Sequence, residues 1–337
     1  MNTPLLCSSE ETGTLQIMHL KRFWQKKQLI RTNQISQEQL QAEWPLDKML
    51  LSALGLGLEQ TLSYLFGTAS TFEAFERWIV GVAGVPSSQN VSRFNQYLQA
   101  GASAISRPVV PVLSEQEIEF WETNGYMVIP NAVPKEDCLA AVQVINDFLG
   151  ISLEEPDSWY QSHADRKGIM IQLFQHPVLR KNRFSDKIRM VFEQLWNRTD
   201  LWVSTDRVGF NPPERANWTF PGPDLHWDVS LQLPIPFGLQ GILYLADTAA
   251  NQGAFTLVPG FHKRLESWLH SLPPGVDPRK QDLHSLGSFP VAAQAGDFIV
   301  WHHALPHGSS PNTAHLPRYV QYISYAPYND EPATGWK

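Results

Sequence analysis

The sequence predicts a mainly β domain with accessory helices, an α+β fold, preceded by a separate helical segment. Short apolar runs separated by Gly, Pro and Asn clusters recur after residue 160, a pattern typical of a β-sandwich or barrel. Up to about residue 100, apolar side chains instead recur at three- and four-residue steps, the spacing of helices. The stretch Gly101 to Pro111 is small and proline-containing. We therefore predict a helical segment over 1–105 and a β-rich domain over 106–337.

In the helical segment, apolar spacing predicts helices over 46–62 and 72–82. A further helix combines Leu20, Phe23 and Trp24 with a basic face that contains Lys26 and Lys27. We interpret that face as solvated, with an acidic partner or a membrane surface as the alternatives. The helices could cover a pocket or form a homodimer face, and the sequence does not choose between these roles.

The second segment begins with strong local signals. Ser114 and Glu117 form an S-x-x-E capping box, which predicts a short helix that ends at Asn124-Gly125. A brief strand is expected over 126–130, and Pro134 opens a helix that runs to about Leu149. The remaining strands are expected over 168–174, 201–210, 225–233, 239–245, 254–258, 297–301 and 318–325.

The composition limits the classes of function. Of the 337 residues, 43% are hydrophobic and 18% are charged, which predicts a folded protein rather than a disordered one. Cys7 and Cys138 are too few for a disulfide scaffold or a thiolate metal cluster, so a metal would be held by His and carboxylate. A net charge of −7 argues against nucleic-acid binding, and no apolar run suits a membrane span. We expect a cytoplasmic protein that acts on a small molecule.

The sharpest chemical signal is the tripeptide His226-Trp227-Asp228. Residues two apart in a strand point to the same face, so His226 and Asp228 would converge as two metal ligands. A third ligand must come from His302, His303, His307 or His315. At most one of the adjacent His302 and His303 can face inward, whereas His307 precedes Gly308, which permits close approach of the backbone to a bound group.

Arg318 supplies a second signal because it opens an apolar strand, where its guanidinium requires an anion. An internal salt bridge is the alternative reading. Two His and one Asp form the facial triad of non-haem Fe(II) oxygenases, and the arginine would then hold the distal carboxylate of a 2-oxo acid. A catalytic zinc site would give Arg318 no role, and the His-x-His pair of a cupin-type site is missing.

Several motifs over about 113–326 resemble the phytanoyl-CoA dioxygenase (PhyH) family of Fe(II)/2-oxoglutarate oxygenases. They are the opening LSEQEIEFWETNGYMVIPNAV, the segment HWD, the loop NQGAFTLVPGFHK and the series AGDFIVWHHALPHGSSPNTAHLPR. The resemblance implies a double-stranded β-helix (jelly-roll) core, Fe(2+) as cofactor, and 2-oxoglutarate and O2 as cosubstrates. The loop departs from the family at Phe261, where relatives carry Ser, and the first hundred residues match nothing in the family core.

By this resemblance, His226, Asp228 and His307 would bind the metal. Arg318 and Ser309 would bind the C5 carboxylate of 2-oxoglutarate, with Gln172 and Arg207 as further cosubstrate contacts. The resemblance and the local aromatic content suggest a substrate pocket lined by Trp227, Trp218 and Tyr322.

The expected activity is hydroxylation, or a related oxidation, of a small-molecule metabolite with release of succinate and CO2. The carboxylate of Asp228 favours this over halogenation, since halogenases carry a small residue at that position. An acyl-CoA and a free metabolite are both compatible substrates. The alternative function is a catalytically inactive jelly-roll module that binds a metabolite or a protein partner.

Overall fold

The computed structural model describes residues 6–36, 38–68 and 71–328. The chain divides into two compact units. The first comprises the described residues up to Val110, the segment Glu193–Asp206 and the described residues Tyr325–Tyr328. The second comprises Pro111–Phe192 and Arg207–Ser324. The boundary after residue 105 stays a prediction, and the first unit also recruits two later segments.

Helices account for most of the first unit and flank the sheet of the second. The α-helices are α1 (Leu20–Arg31), α2 (Trp44–Leu54), α3 (Leu58–Gly67), α4 (Phe72–Ala83), α5 (Ser88–Ala100), α6 (Glu115–Asn124), α7 (Lys135–Leu149), α8 (Pro177–Arg183), α9 (Asp186–Trp196) and α10 (Leu265–Ser271). The predicted capping box is confirmed, because Ser114 Oγ accepts from the backbone of Glu117 while the Glu117 side chain accepts from the backbone of Ser114. Among the described residues, no single helix is long and apolar enough to cross a membrane, although the bent pair Gln41–Leu54 and Leu58–Gly67 would suffice by length and composition.

The helices of the first unit enclose one apolar cluster, to which α1, α2, α4 and α5 contribute fully buried side chains. The predicted helix over 46–62 is two helices, because Gly55 takes a left-handed conformation (φ 69°) and ends α2. Glycine has no Cβ and therefore adopts this conformation at low cost, which explains the break.

The basic face of α1 is not solvated at Lys26 and Lys27, which corrects the prediction. The Lys26 ammonium is fully buried and donates to Glu43 Oε2 at 2.9 Å and to Asp47 Oδ1. It also lies 3.4 Å from His19 Nε2. Burial opposes ionisation of Asp47, but His19 and the two lysines hold the pKa of this carboxyl below its usual value. The acidic partner of this face therefore lies within the chain itself.

The strands are β1 (Tyr126–Ile129), β2 (Arg166–Lys167), β3 (Met170–Ile171), β4 (Trp202–Val203), β5 (Val208–Asn211), β6 (Leu239–Tyr244), β7 (Thr256–Leu257), β8 (Phe289–Pro290), β9 (Phe298–His302), β10 (His307–Gly308), β11 (Arg318–Tyr322) and β12 (Tyr325–Ala326). In the second unit, seven strands form an antiparallel sheet in the order β1-β9-β6-β11-β5-β3-β2, and three form a smaller sheet in the order β10-β7-β8. The pair β12-β4 belongs to the first unit. The expected combination of helices and sheet is confirmed, and the sheets are antiparallel.

The register of the large sheet gathers one set of side chains on a single face. Arg318 lies opposite Asn211, Val320 lies opposite Gly209, and Gln240 lies opposite Trp301. Cross-strand partners point to the same face, as do residues two apart on a strand. A Cβ at Gly209 would lie 2.7 Å from Val320 Cγ2, so only glycine permits this close packing. This face packs against the smaller sheet through a shared apolar cluster.

Two strand predictions are wrong in detail. The segment 225–233 is not a strand, and only His226 forms a β-bridge, with His307. The segment 201–210 contains two strands, β4 and β5, which belong to different sheets. The strands predicted near 239–245, 297–301 and 318–325 are confirmed as β6, β9 and β11.

Candidate active site

Three predicted ligands converge in the second unit. His226 and His307 form a backbone bridge, with N–O distances of 2.9 and 3.0 Å. His226 Nε2 lies 3.3 Å from Asp228 Oδ1, and His307 Nε2 lies 3.4 Å from Asp228 Oδ2. One ligand atom from each residue falls within 4.8 Å of the others. This spacing suits a single metal ion.

Hydrogen bonds determine which imidazole nitrogens face the carboxylate. His226 Nδ1 donates to Asp224 O at 2.7 Å, and His307 Nδ1 donates to Leu305 O at 3.0 Å. In the neutral tautomers each Nε2 therefore carries a lone pair, which leaves two lone pairs and a carboxylate pointing at one another. Only a cation, either protons or a metal, makes this arrangement favourable. The donor set of two imidazoles and one carboxylate suits Fe(II).

The same contacts shift the pKa values of the group. Burial alone would lower the pKa of His226, but hydrogen bonding to Asp228 and to the Asp224 carbonyl raises it above its ordinary value. Burial alone would raise the pKa of Asp228, but hydrogen bonds with His226 and His307 hold it far below its usual range. In the metal-free protein, Asp228 is therefore a carboxylate ready to bind a cation.

Arg318 is 0% exposed and has an incomplete set of partners. Its Nη1 donates to Ser309 Oγ at 3.0 Å, whereas Nε and Nη2 have no hydrogen-bond partner. A buried guanidinium with two unpaired donors is costly unless an anion binds it. The salt-bridge alternative is wrong, because no carboxylate among the described residues pairs with Arg318. Gln172 Nε2 is likewise buried without a partner.

The other predicted pocket residues differ in their surroundings. Trp227 is 2% exposed, packs on Phe261 and Trp268 and donates from Nε1 to Ala304 O, so its contacts are those of a core residue and do not support a pocket role. Half-buried Trp218 packs against Tyr160. Half-buried Tyr322 lies beside Gly209, and the Arg207 carbonyl accepts a hydrogen bond from the Tyr322 backbone. The pocket roles of Trp218 and Tyr322 and the cosubstrate role of Arg207 stay predictions.

His302 and His303 lie outside the metal group. The backbone N–H of Ala304 donates to His302 Nδ1, while His303 Nε2 contacts the Pro236 carbonyl. Burial, together with the nearby His303 and His262, lowers the pKa of His302 to about 3. His302 is thus a neutral, packed histidine.

Two residues that contact the site were missed by sequence reasoning. Gln240 Nε2 donates to Asp228 Oδ2 at 2.8 Å, and Arg279 donates to the carbonyls of Trp227 and Val229. A polar side chain in the apolar run of β6 is a signal that could have identified Gln240. Arg279 lies in an irregular, polar segment and offers no such signal.

A family model described as phytanoyl-CoA dioxygenase (PhyH) matches residues 121–320, more than half of the chain. The chain belongs to the phytanoyl-CoA dioxygenase (PhyH) family. This membership makes it an oxygenase of the Fe(II)/2-oxoglutarate-dependent class. The matched region includes the three candidate metal ligands and Arg318.

This PhyH-family chain is similar to a curated relative and to several solved structures. A putative phytanoyl-CoA dioxygenase of Dictyostelium discoideum is 25% identical over 62% of this chain and 74% of that protein. The non-heme alpha ketoglutarate dependent carbocyclase SnoK from nogalamycin biosynthesis is 19% identical, covers 63% of this chain and 83% of its own, and has a TM-score of 0.44. EctD from S. alaskensis with bound Fe is 16% identical and has a TM-score of 0.47. The match covers 66% of this chain and 80% of EctD.

Proposed function

We propose that His226, Asp228 and His307 bind Fe(II) and that Arg318 with Ser309 binds the C5 carboxylate of 2-oxoglutarate. The chain would then oxidise a small-molecule metabolite, by hydroxylation or a related oxidation, with release of succinate and CO2. The observation that carries the proposal is the fully buried Arg318 guanidinium, whose Nε and Nη2 have no partner. A dicarboxylate supplies the missing anion and leaves its 2-oxo acid end for the metal.

The bound Fe(II) and its cosubstrates supply the oxidising power, and the chain's residues supply binding and orientation. Ser309 orients the Arg318 guanidinium through its 3.0 Å hydrogen bond. Trp301 and Phe255 pack their rings 5.1 and 6.0 Å from the His307 ring, which restricts rotation of this ligand and excludes water from its side of the site. Gln172, with a buried unpaired Nε2, is a further candidate contact for cosubstrate or substrate, as are Arg207, Trp218 and Tyr322.

The finer structural expectations belong to the same proposal. The two sheets of the second unit would form the double-stranded β-helix, with a division of the chain into 1–105 and 106–337. The antiparallel pairing and the opposition of His226 on one segment to His307 on β10 support this arrangement. A homodimer through the N-terminal helices and a cytoplasmic location stay predictions.

The test is addition of Fe(II) and 2-oxoglutarate to the anaerobic protein, followed by visible absorption. We expect a metal-to-ligand charge-transfer band that Asp228→Ala abolishes. Asp186→Ala, which removes an exposed carboxylate on α9, is the matched control and should retain the band. A wild-type protein without the band and without retained iron would support the binding-module alternative. If the band appears in the wild type and is lost in Asp228→Ala, a succinate-release screen with acyl-CoA and free metabolites would define the substrate class.

A further inference from the structure

The segment that carries Asp228 is weakly attached to the sheet. In the described part of the chain, residues 225–229 pair with a strand only at the bridge between His226 and His307. The Asp228 side chain is 53% exposed. A carboxylate on an irregular, exposed segment samples many orientations unless other groups restrict it. Other groups must therefore hold Asp228 toward the two histidines.

Arg279 holds the backbone on both sides of Asp228. Its Nη1 donates to Trp227 O and its Nη2 donates to Val229 O, both at 2.7 Å. These carbonyls belong to the residues immediately before and after Asp228. A guanidinium is a rigid, planar fork, so two bonds from one group fix the relative positions of both carbonyls. The Arg279 backbone is itself fixed by a 3.0 Å bond to Asp277 Oδ1.

Gln240 holds the carboxylate itself. Its Nε2 donates to Asp228 Oδ2 at 2.8 Å, and its Cα lies opposite that of Trp301 in the large sheet. Because a carboxylate only accepts, the amide must present its nitrogen to Asp228, so its orientation is determined. The contact joins an exposed ligand to one of the central strands of the sheet.

A third contact comes from the same loop as Arg279. His284 Nε2 lies 2.7 Å from Asp224 Oδ1, and the Asp224 carbonyl accepts the Nδ1 proton of His226. The loop thus contacts the ligand-bearing segment at two places, one near each ligand. This agreement argues for a specific support rather than a chance surface contact.

We propose that Arg279 and Gln240 are positioning residues for Asp228, Arg279 through the flanking peptide groups and Gln240 through the carboxylate. This inference rests on the proposed function, in which Asp228 is a metal ligand. When one of these supports is lost, metal binding must also order the Asp228 segment, and the metal affinity of the site falls. Loss of a group that orients a metal ligand typically costs about 10- to 100-fold in metal affinity.

The experiment is a Co(II) titration of the metal-free full chain, followed by d–d absorption. We expect Arg279→Met and Gln240→Met each to weaken Co(II) binding about 10- to 100-fold and to change the band pattern. Lys280→Met is the matched control, since it removes a neighbouring positive charge from a side chain that is 82% exposed, and it should bind as the wild type does. Arg279→Lys keeps the positive charge but loses the planar fork, so we expect it to bind Co(II) as weakly as Arg279→Met does.

A rescue separates positioning from general stability. Arg279→Ala should regain Co(II) affinity when guanidinium is added well below denaturing concentrations, whereas sodium should have no effect. If Arg279→Met does not fold, Gln240→Met and this rescue still decide the matter. A wild type without a Co(II) spectrum, or an unchanged spectrum in Asp228→Ala, would refute the proposed function. Wild-type affinity and spectrum in Arg279→Met and Gln240→Met would overturn the positioning role alone.

Discussion

Replacing Arg318 by methionine should weaken 2-oxoglutarate binding without destabilising the metal-free protein. The substitution removes two buried donors without partners, each of which costs about 1–3 kcal/mol. It also removes the donor to Ser309 Oγ, a loss of about 1–3 kcal/mol. The metal-free variant should therefore be about 1–3 kcal/mol more stable than the wild type, because an apolar side chain of similar length fills the site.

The effect on the cosubstrate has the opposite sign. Two charge-assisted hydrogen bonds from Nε and Nη2 to a carboxylate contribute about 1.5–3 kcal/mol each. Their loss amounts to roughly 3–6 kcal/mol, or about 10²- to 10⁴-fold in the dissociation constant. Calorimetric titration of the Zn(II)-loaded protein with 2-oxoglutarate measures this change, and urea unfolding of the metal-free protein measures stability.

A second arginine provides the control. Arg93 donates to the carbonyls of Thr199 and Leu201 and stacks on Trp202, so it is well paired. Arg93→Met should destabilise the protein and leave cosubstrate affinity unchanged. The reasoning about Arg318 fails if Arg318→Met loses about 3 kcal/mol or more of metal-free stability and still binds 2-oxoglutarate as the wild type does.

Three further predictions concern ionisable side chains. Co(II) affinity should fall by up to about tenfold per pH unit as pH decreases through the raised pKa of His226, since the metal displaces a proton; an affinity that is flat from pH 8 to 5.5 would contradict this. The pKa of His302 is about 3 in the folded protein and about 6.5 in the unfolded chain. Below pH 6.5 the unfolded chain therefore binds a proton that the folded protein does not, and the free energy of unfolding falls by about 2 kcal/mol at pH 5. His302→Asn should reduce the difference in unfolding free energy between pH 7 and pH 5 by that amount, and an unchanged difference would refute the assignment. Asp47→Asn should destabilise the protein by about 3–5 kcal/mol in urea unfolding, because Lys26 and Lys27 lose their buried partner, and Lys26→Met in the same chain should recover part of this loss.

The elements predicted correctly are those determined by short-range physics. The capping box at Ser114 needs only residues three apart, and β11 combines an apolar run with a preceding proline. The sequence also predicts that His226 and Asp228 converge, but it does so from the alternation of side chains along a strand, and these residues do not lie on a strand. They lie on an irregular segment with a single bridge in the described chain, and alternation within a strand does not bring them together.

The errors that concern polar side chains have a common cause, which is pairing between groups on different elements. The basic face of α1 is buried because Asp47 lies on another helix, a contact that helix periodicity does not report. Arg279 reaches the carbonyls that flank Asp228 across 50 and 52 residues, and Gln240 reaches the Asp228 carboxylate from β6. Local propensity carries no information on such contacts, so the ligands could be predicted and the residues that support them could not.

The buried ammonium of Lys26 has a consequence for metal stoichiometry. His19, Glu43 and Asp47 offer a second set of ligand atoms within 4.8 Å of one another, but Lys26 already lies among them. A cation tethered to the chain competes at a high effective concentration with any free ion. Metal analysis of the iron-loaded protein should therefore give about one iron per chain, and His19→Ala should leave that ratio unchanged.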